Sequence, residues 1–392
     1  MTRCALLVLL VATAARAAEP VFRAVQSDGR VEMPAPVVME RLSSDQWPGW
    51  LGLWQGMPAG TTTPSGSAWR LVDGQCVMGG FDVGDGVLGW RSGLLGLLSL
   101  DLERTRLIGP VSAAMPVDLQ RDQVLMVNGD RIDGFLVGID AERGIGMERG
   151  AAATGARDVT WYPIHSATQV QVSGKDQPAE GWRLWLRDGS IVDVQGWRRE
   201  GGTVELVAPR LPGSATRVTV PWSVVLAIRP PQGALLPMAS LPWQASGGEA
   251  LGRLAAATAR VDTDPSPLDL RAVELLGPGT FVAKLPRPDM HVRLRACLPP
   301  RVMDMEGCML VVRDARSRRA EARLDATRPD MEWSGQLEGD RLEIDLQPGP
   351  GGAMGSVVSL EDAWAFTIMA PPGARPPSTT APGEPSGPAG SG

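Results

Sequence analysis

Little of the side-chain chemistry that enzymes usually draw on is present. The 392 residues include two His (His165 and His291), one Tyr (Tyr162), one Asn (Asn128), two Lys (Lys175 and Lys284) and four Cys. No Cys pair has C-x-x-C spacing and no His/Cys/Asp cluster has metal-ligand spacing, so zinc and thioredoxin chemistry lack support. No metal and no cofactor is implied. A Gly-x-Ser-x-Gly elbow is absent, and neither His stands near a nucleophile in the sequence. A basic excess is absent too: 38 basic side chains face 44 acidic ones, a net charge of −6, or −8 once Arg3 and Arg16 leave with the leader described below. That charge lacks the footprint of a nucleic-acid binder. After residue 17 no run reaches the ~18 apolar residues that a spanning helix needs. A hydrolase or dehydrogenase is not expected, and nothing names a substrate.

What remains is ample for folding. Hydrophobic residues make up 43% and charged ones 21% of the chain, which excludes wholesale disorder and allows two or three domains, each with a core. Met1–Thr2–Arg3, the apolar run Ala5 to Ala14, and Ala15–Arg16–Ala17 follow the three-part layout of a secretory signal peptide. Residues 1–17 are expected to be cleaved before Ala18, leaving a secreted or periplasmic chain with no membrane span. Export permits disulfides. Cys297 ends one strand-like run and Cys308 begins the next, so a bridge and two buried thiols both remain open.

Residues 18–67 read as an irregular lead-in, with a strand at Val21–Val25 and a cluster of Trp47, Trp50 and Trp54. From Ala68 the chain reads as β. Asp73–Gly74, Asn128–Gly129 and Asp188–Gly189 each stand between alternating apolar residues, a pattern that predicts tight type I′ hairpins. A similar run follows each turn: Val77, Gly79 and Phe81; Ile132, Gly134 and Leu136; Val192, Val194 and Gly196. Two segments close on Tyr162–Pro163–Ile164 and Val220–Pro221–Trp222. Offsets of 55 and 60 residues are too irregular for a solenoid. They suit three small β-barrel-like units over 68–121, 122–175 and 180–230, with one larger sandwich as the alternative. Gly144–Gly150 reads as a hairpin loop.

Residues 231–270 form a Pro/Gly-broken linker, in which Leu251–Arg260 could make a short helix. Over 271–370, Phe281–Leu285, Val292–Leu298, Met309–Val312, Ala320–Leu324, Trp333–Leu337 and Leu342–Leu346 read as six strands of a sandwich, with a final strand through Glu361–Phe366. The tail 371–392 is rich in Pro, Gly, Ser and Thr and reads as disordered. The fold class is all-β: tandem small barrel-like repeats followed by a β-sandwich.

Two stretches resemble known families. The pattern apolar-x-Asn/Asp-Gly-Asp-x-apolar-x-Gly-x-apolar, with Val220–Pro221–Trp222–Ser223, resembles small β-barrel repeats of large exported bacterial proteins. Those repeats often precede an NPCBM-type carbohydrate-binding module of the galactose-binding-like fold. Leu342–Leu346, the glycines Gly349, Gly351 and Gly352, and Asp362–Ala363–Trp364–Ala365 resemble the last strands of that module. The resemblance implies a jelly-roll sandwich. However, Gly279 stands where the family has a His, and Leu360–Glu361 replaces its Asp-His pair, so the family's polar residues are lost there. Val127–Asn128–Gly129–Asp130–Arg131–Ile132 is similar to a strand of PDZ domains, without the peptide-groove helix pattern around it.

The carboxylate pairs Asp101/Glu103, Asp304/Glu306 and Glu361/Asp362 are spaced as solvated turn residues rather than as a hydrolytic pair. The thirteen Trp are the more suggestive feature, since an exposed indole stacks on a sugar's apolar face. Strand positions assign Trp69, Trp161, Trp182, Trp185 and Trp222 to the core, while Trp197 and Trp333 are expected to be exposed. The resulting expectation is an exported, non-enzymatic protein that binds glycan or cell-envelope material through Trp333, Trp364, Asp362 and Arg287. The alternatives are an assembly module that docks another exported protein, and a divergent glycoside hydrolase.

Overall fold

The computed structural model describes residues 21–367, apart from 28–29, 56–64, 85–86, 114, 116–118, 152–156, 232–234, 248–255, 263–265, 267, 269, 304–306, 316, 351 and 353–355. The leader, the C-terminal tail, the first half of the expected helix in the linker, and Asp304 and Glu306 lie outside the described residues.

The chain is all-β, with antiparallel pairing throughout. The first set of five strands is Ser67–Leu71, Cys76–Gly84, Val87–Ser92, Gly96–Ser99 and Thr105–Pro110. The second is Asp122–Met126, Arg131–Asp140, Gly144–Ala151, Arg157–Tyr162 and Ala167–Gln171. The third is Trp182–Leu186, Ile191–Glu200, Thr203–Pro209, Arg217–Pro221 and Val225–Arg229. In each set the second strand pairs with the first strand over its beginning and with the third over its end. The third pairs with the fourth, and the fifth returns to the first. Each set is thus a curled sheet, and the apolar side chains within the three belong to one continuous core.

Local chemistry accounts for the curl. The loops after the first strands are three-residue loops, with Leu71, Met126 and Leu186 N–H donating to Gln75, Asp130 and Ser190 O at 2.8–2.9 Å. Only the glycine takes positive φ (79° at Gly74, 88° at Gly129 and 96° at Gly189). This is the G1-bulge pattern rather than the expected type I′ turn, which needs two residues at positive φ. The preceding Asp or Asn serves differently: Oδ1 of Asp73, Asn128 and Asp188 accepts the N–H two residues on, at 2.9–3.2 Å. Five residues past the first two turns stand Gly79 and Gly134, where the second strand changes partner. A Cβ would lie 2.1 Å from Arg91 O at Gly79 and 2.6 Å from Glu148 O at Gly134, so only glycine lets the strand bend there. Before the fifth strand, Pro163 and Pro221 lead into single 3-10 turns, Ile164–Ser166 and Trp222–Val224. Gly144–Ala151 is a strand and not a loop, because Trp161 on the next strand lies across Gly146, whose missing Cβ makes room for the ring.

The first and third sets dock through equivalent residues. Cys76 and Ile191, each two residues past its turn glycine, oppose one another. Met78 N–H donates to Ser190 Oγ at 3.0 Å, and Asp193 N–H donates to Gln75 Oε1 at 2.7 Å. These contacts are reciprocal, glycine-plus-one with glycine-plus-four in both directions, so they relate the two sets by a local two-fold axis. Beside that axis the buried Arg183 guanidinium grips Asp193 at 2.7 and 2.8 Å and donates to Asp73 O at 2.6 Å. Arg104 Nη2 bridges Asp73 Oδ2 and Arg210 O at 2.7 and 2.9 Å. The second set joins the first through its last strand, with Val170 opposite Ile108.

The described residues of the lead-in include paired strands. Phe22–Val25 pairs with Gly52–Gln55, which continues onto Val225–Arg229 of the third set. Trp47 wedges edge-on against Trp50, Trp182 and Trp197 at centroid distances of 5.1–6.0 Å.

The C-terminal region is a two-sheet sandwich. One sheet runs Thr258–Val261, Val273–Leu276, Val357–Phe366, His291–Cys297 and Asp330–Gln336 in spatial order. The other runs Trp243–Ser246, Gly279–Lys284, Arg341–Pro348, Cys308–Arg313 and Arg318–Leu324. Val292, Leu294 and Ala296 point into the core while the residues between them point out, as the alternating sequence requires. The six expected strands stand within a few residues of their anticipated places. The expected helix does not: the described part of 251–260 enters the strand Thr258–Val261. Cys297 faces outward beside Glu361, its Sγ 3.8 Å from Oε2, whereas Cys308 points into the core. Both are free thiols, so the bridge left open by the sequence is not formed.

The buried Arg183–Asp193 pair yields the first prediction. Burial raises the Asp193 carboxyl above its usual range, with Arg183 pulling the other way. Removing the cation leaves burial and the nearby Asp73 carboxylate opposed by Arg229 alone, a weaker cause than burial, so ionised Asp193 becomes costly and its protonated form is favoured in the folded state. Arg183→Ala is expected to cost about 3–5 kcal/mol at neutral pH. Part of that loss returns on acidification, because a raised folded pKa contributes stability below that value which is lost as pH rises through it. Urea midpoints of both chains at pH 7 and near pH 5 measure this. A loss that is small, or that does not shrink on acidification, contradicts it.

Candidate functional site

The four residues singled out for ligand contact are not brought together. Trp364 and Asp362 lie on Val357–Phe366, next to a bulge at which Arg293 opposes Trp364 and Arg295 opposes Glu361. Asp362 takes φ 44° there. Arg293 and Trp364 share the outer face of their sheet, and that face is not free. Trp364 and Phe366 pack with Trp54, Trp185 and Leu226 of the N-terminal region, forming an apolar seam. Trp364 is 0% exposed, edge-on to Trp54 at 5.9 Å. It is therefore a seam residue and cannot stack on a ligand, which corrects the expectation. Asp362 borders the same seam, 3.9 Å from Arg23 and partly exposed.

Trp333 stands on the other face of that sheet. It opposes Leu294, packs partly on the sandwich core, and lies over Gly335, where a Cβ would come within 2.9 Å of the ring. Asp330–Gln336 is an edge strand, close to Arg318–Leu324 of the opposite sheet, so Trp333 is half-buried at the open side of the sandwich. Its indole N–H has no hydrogen-bond partner among the described residues. Arg287 is exposed in the loop between Gly279–Lys284 and His291–Cys297, at one end of the sandwich.

Other expectations are revised by packing. Trp197 is 1% exposed inside the Trp47 cluster rather than at the surface. Trp161, assigned to the core, is half-buried under the Arg143 guanidinium, 4.1 Å from the ring centroid. No tryptophan among the described residues is fully exposed. Asp101 Oδ1 accepts the N–H groups of Glu103 and Arg104, so this carboxylate closes a turn. Glu361 lies beside Cys297, where burial first and Glu361 second push that thiol up to about 11. His291 stacks near Phe366 at 5.4 Å, and burial lowers its pKa, while His165 sits in the 3-10 turn of the second set.

Two clefts were not anticipated. One, of about 260 Å³, is lined by Phe22, Met33, Met39, Glu40, Arg199 and Trp222, with Phe22 stacked on Trp222 at 4.7 Å. The other, of about 600 Å³, lies on the second set between the Asn128–Gly129 turn and Tyr162, with Arg131 and Arg149 at its sides. The only hint of it in the sequence was the Val127–Asn128–Gly129–Asp130 motif.

The two sandwich tryptophans should separate cleanly. Trp364→Ala opens a cavity in the seam and is expected to lower stability by about 3–5 kcal/mol. Trp333→Ala, at a half-open site over a glycine, is expected to lower it by less than about 2 kcal/mol. Urea denaturation of both variants checks this, and a Trp333 loss equal to or larger than the Trp364 loss contradicts the placement.

No family model matches the chain, and no curated protein does. Among solved structures, CBM51 from Clostridium perfringens GH95 in complex with methyl-galactose aligns with 34% of this chain and 99% of its own, at 10% identity and a TM-score of 0.27. The CBM51-2 and INT domains of Clostridium perfringens ZmpB, with GlcNAc, align over 58% of this chain and 45% of theirs, at 8% identity and a TM-score of 0.28. TmCBM61 in complex with beta-1,4-galactotriose aligns over 32% of this chain and 88% of its own, at 15% identity and a TM-score of 0.20.

Proposed function

We propose that the protein is an exported, non-enzymatic binding protein whose sandwich recognises glycan or cell-envelope saccharide at Trp333. The observation that carries this reading is the setting of that indole. It covers Gly335 on an edge strand, packs partly on the sandwich core and is half-buried, with its N–H free of partners among the described residues. A flat apolar ring with an available donor suits the apolar face and hydroxyl rim of a sugar. The NPCBM-type resemblance of the surrounding strands supports the sandwich rather than the sugar, since the family's polar residues are lost here. Arg287, at the end of the sandwich, is at most a peripheral contact, and Trp364 takes no part.

A non-catalytic role accords with where the carboxylates go. Asp101 closes a turn, Asp362 faces Arg23, and Asp193 is locked to Arg183. The basic-apolar start of the chain supports export.

A glycan array and polysaccharide pull-downs with the full chain test the reading. Binding is expected, weakened at least about tenfold by Trp333→Ala and less by Trp333→Phe, which keeps an aromatic face. No binding across a broad panel, or binding indifferent to Trp333→Ala, overturns it.

A further inference from the structure

We propose that the chain forms a homodimer in which the Arg131–Gly134 edges of two copies meet across a two-fold axis, as the equivalent edges of the first and third sets meet within one chain. The start of each second strand has a ladder partner on one side only; the third strand takes up the other side further along. Its outward N–H and C=O groups are therefore an open sheet edge, which needs water or a partner.

In the first and third sets that need is met internally. Cys76 opposes Ile191, and the side chains of Gln75 and Ser190 receive the N–H groups of Asp193 and Met78. The equivalent residues of the second set, counted from Gly129, are Asp130, Arg131 and Asp133. Asp130 carries an acceptor where Gln75 and Ser190 do. Yet Arg131 and Asp133 have side chains 60% and 50% exposed, and beyond their pairing with Leu125 and Gln123 no strand among the described residues pairs with their outer edge. Around them stand solvent-facing Leu125 (40%), Val127 (66%) and Phe135 (51%), an apolar rim beside an open edge.

The occupant follows from geometry and charge. An isologous contact at the position of Cys76 and Ile191 places Arg131 on the axis, so each Arg131 has Asp133 of the second copy as its diagonal neighbour on the same face. Arg131 Nε already lies 3.2 Å from Asp133 Oδ1 within one chain. In the dimer Arg131 stands opposite Arg131 of the second copy, a like-charge pair offset by the two aspartates that flank it diagonally, and Asp130 accepts the Asp133 N–H of the second copy, as Gln75 does for Asp193. The surface is thus self-complementary, which is what a second copy of the chain requires.

Sedimentation equilibrium of the full chain tests this. The wild type is expected to show a concentration-dependent rise towards twice the 41.6 kDa chain mass. R131D puts acidic residues at both 131 and 133, and D133R puts basic residues at both. Each alone should dimerise at least about tenfold more weakly, and an equimolar mixture should recover a heterodimer, because opposite edges then meet. Both positions are exposed, and far-UV circular dichroism is expected to show unchanged folds. A wild type that stays monomeric to about 100 µM overturns the proposal. Dimerisation that neither substitution weakens, or a mixture that does not recover the dimer, overturns it equally.

Discussion

The constraint on which the rest of this structure depends is the open backbone edge at the start of each second strand. A curled five-stranded sheet closes most of its hydrogen-bonding groups onto itself. The long strand that bends from one side of the curl to the other leaves its first residues half-paired. The first and third sets solve this together: Gln75 and Ser190 reach across the local two-fold axis, and Arg183 anchors Asp193 and the Asp73 turn beside it. Elsewhere the same need is met by pairing, as Gly52–Gln55 extends the last strand of the third set and the last strands of the first and second sets join. Order along residues 22–230 is therefore a chain of edge-covering contacts, and the second set is where that chain stops.

The tryptophans tell a parallel story. Their abundance suggested ligand platforms, but most of them join one part of the molecule to another. The Trp47 cluster fastens the lead-in to the third set, and Trp54, Trp185 and Trp364 fasten the N-terminal region to the sandwich. An indole brings large apolar area with a polar edge, which suits an interface within a chain as well as a surface for sugar. Trp333 differs because it stands on an edge strand, over a glycine and only partly on the sandwich core.

Local chemistry was legible in the sequence, and tertiary apposition was not. Asp-Gly and Asn-Gly marked all three loops, although their turn type was misjudged, because the Asp or Asn works through its side chain rather than through positive φ. The strands of the sandwich were readable from alternation, as His291–Cys297 illustrates. Gly79 and Gly134 were visible as recurring glycines, but the carbonyls they avoid belong to another strand. The candidate site fared less well. Trp333 is half-buried rather than exposed, and Trp364 is covered because nothing in Ala363–Trp364–Ala365 tells which face of a sheet a second region will cover. Trp197 was misplaced for the same reason, and Arg131 carried no signal until its equivalents in the other sets were seen in contact.

The most direct test of this account is amide hydrogen exchange at Met78 and Asp193. Both N–H groups lie on strand edges and are held only by side chains of the other set, Ser190 and Gln75. If the reciprocal docking of the first and third sets underlies the fold, these two amides exchange as slowly as the ladder amides of Leu184 and Val192, near the rate of global unfolding. Exchange at the rate of an uncovered strand edge would show that the two sets do not depend on one another, and would contradict the account at its centre.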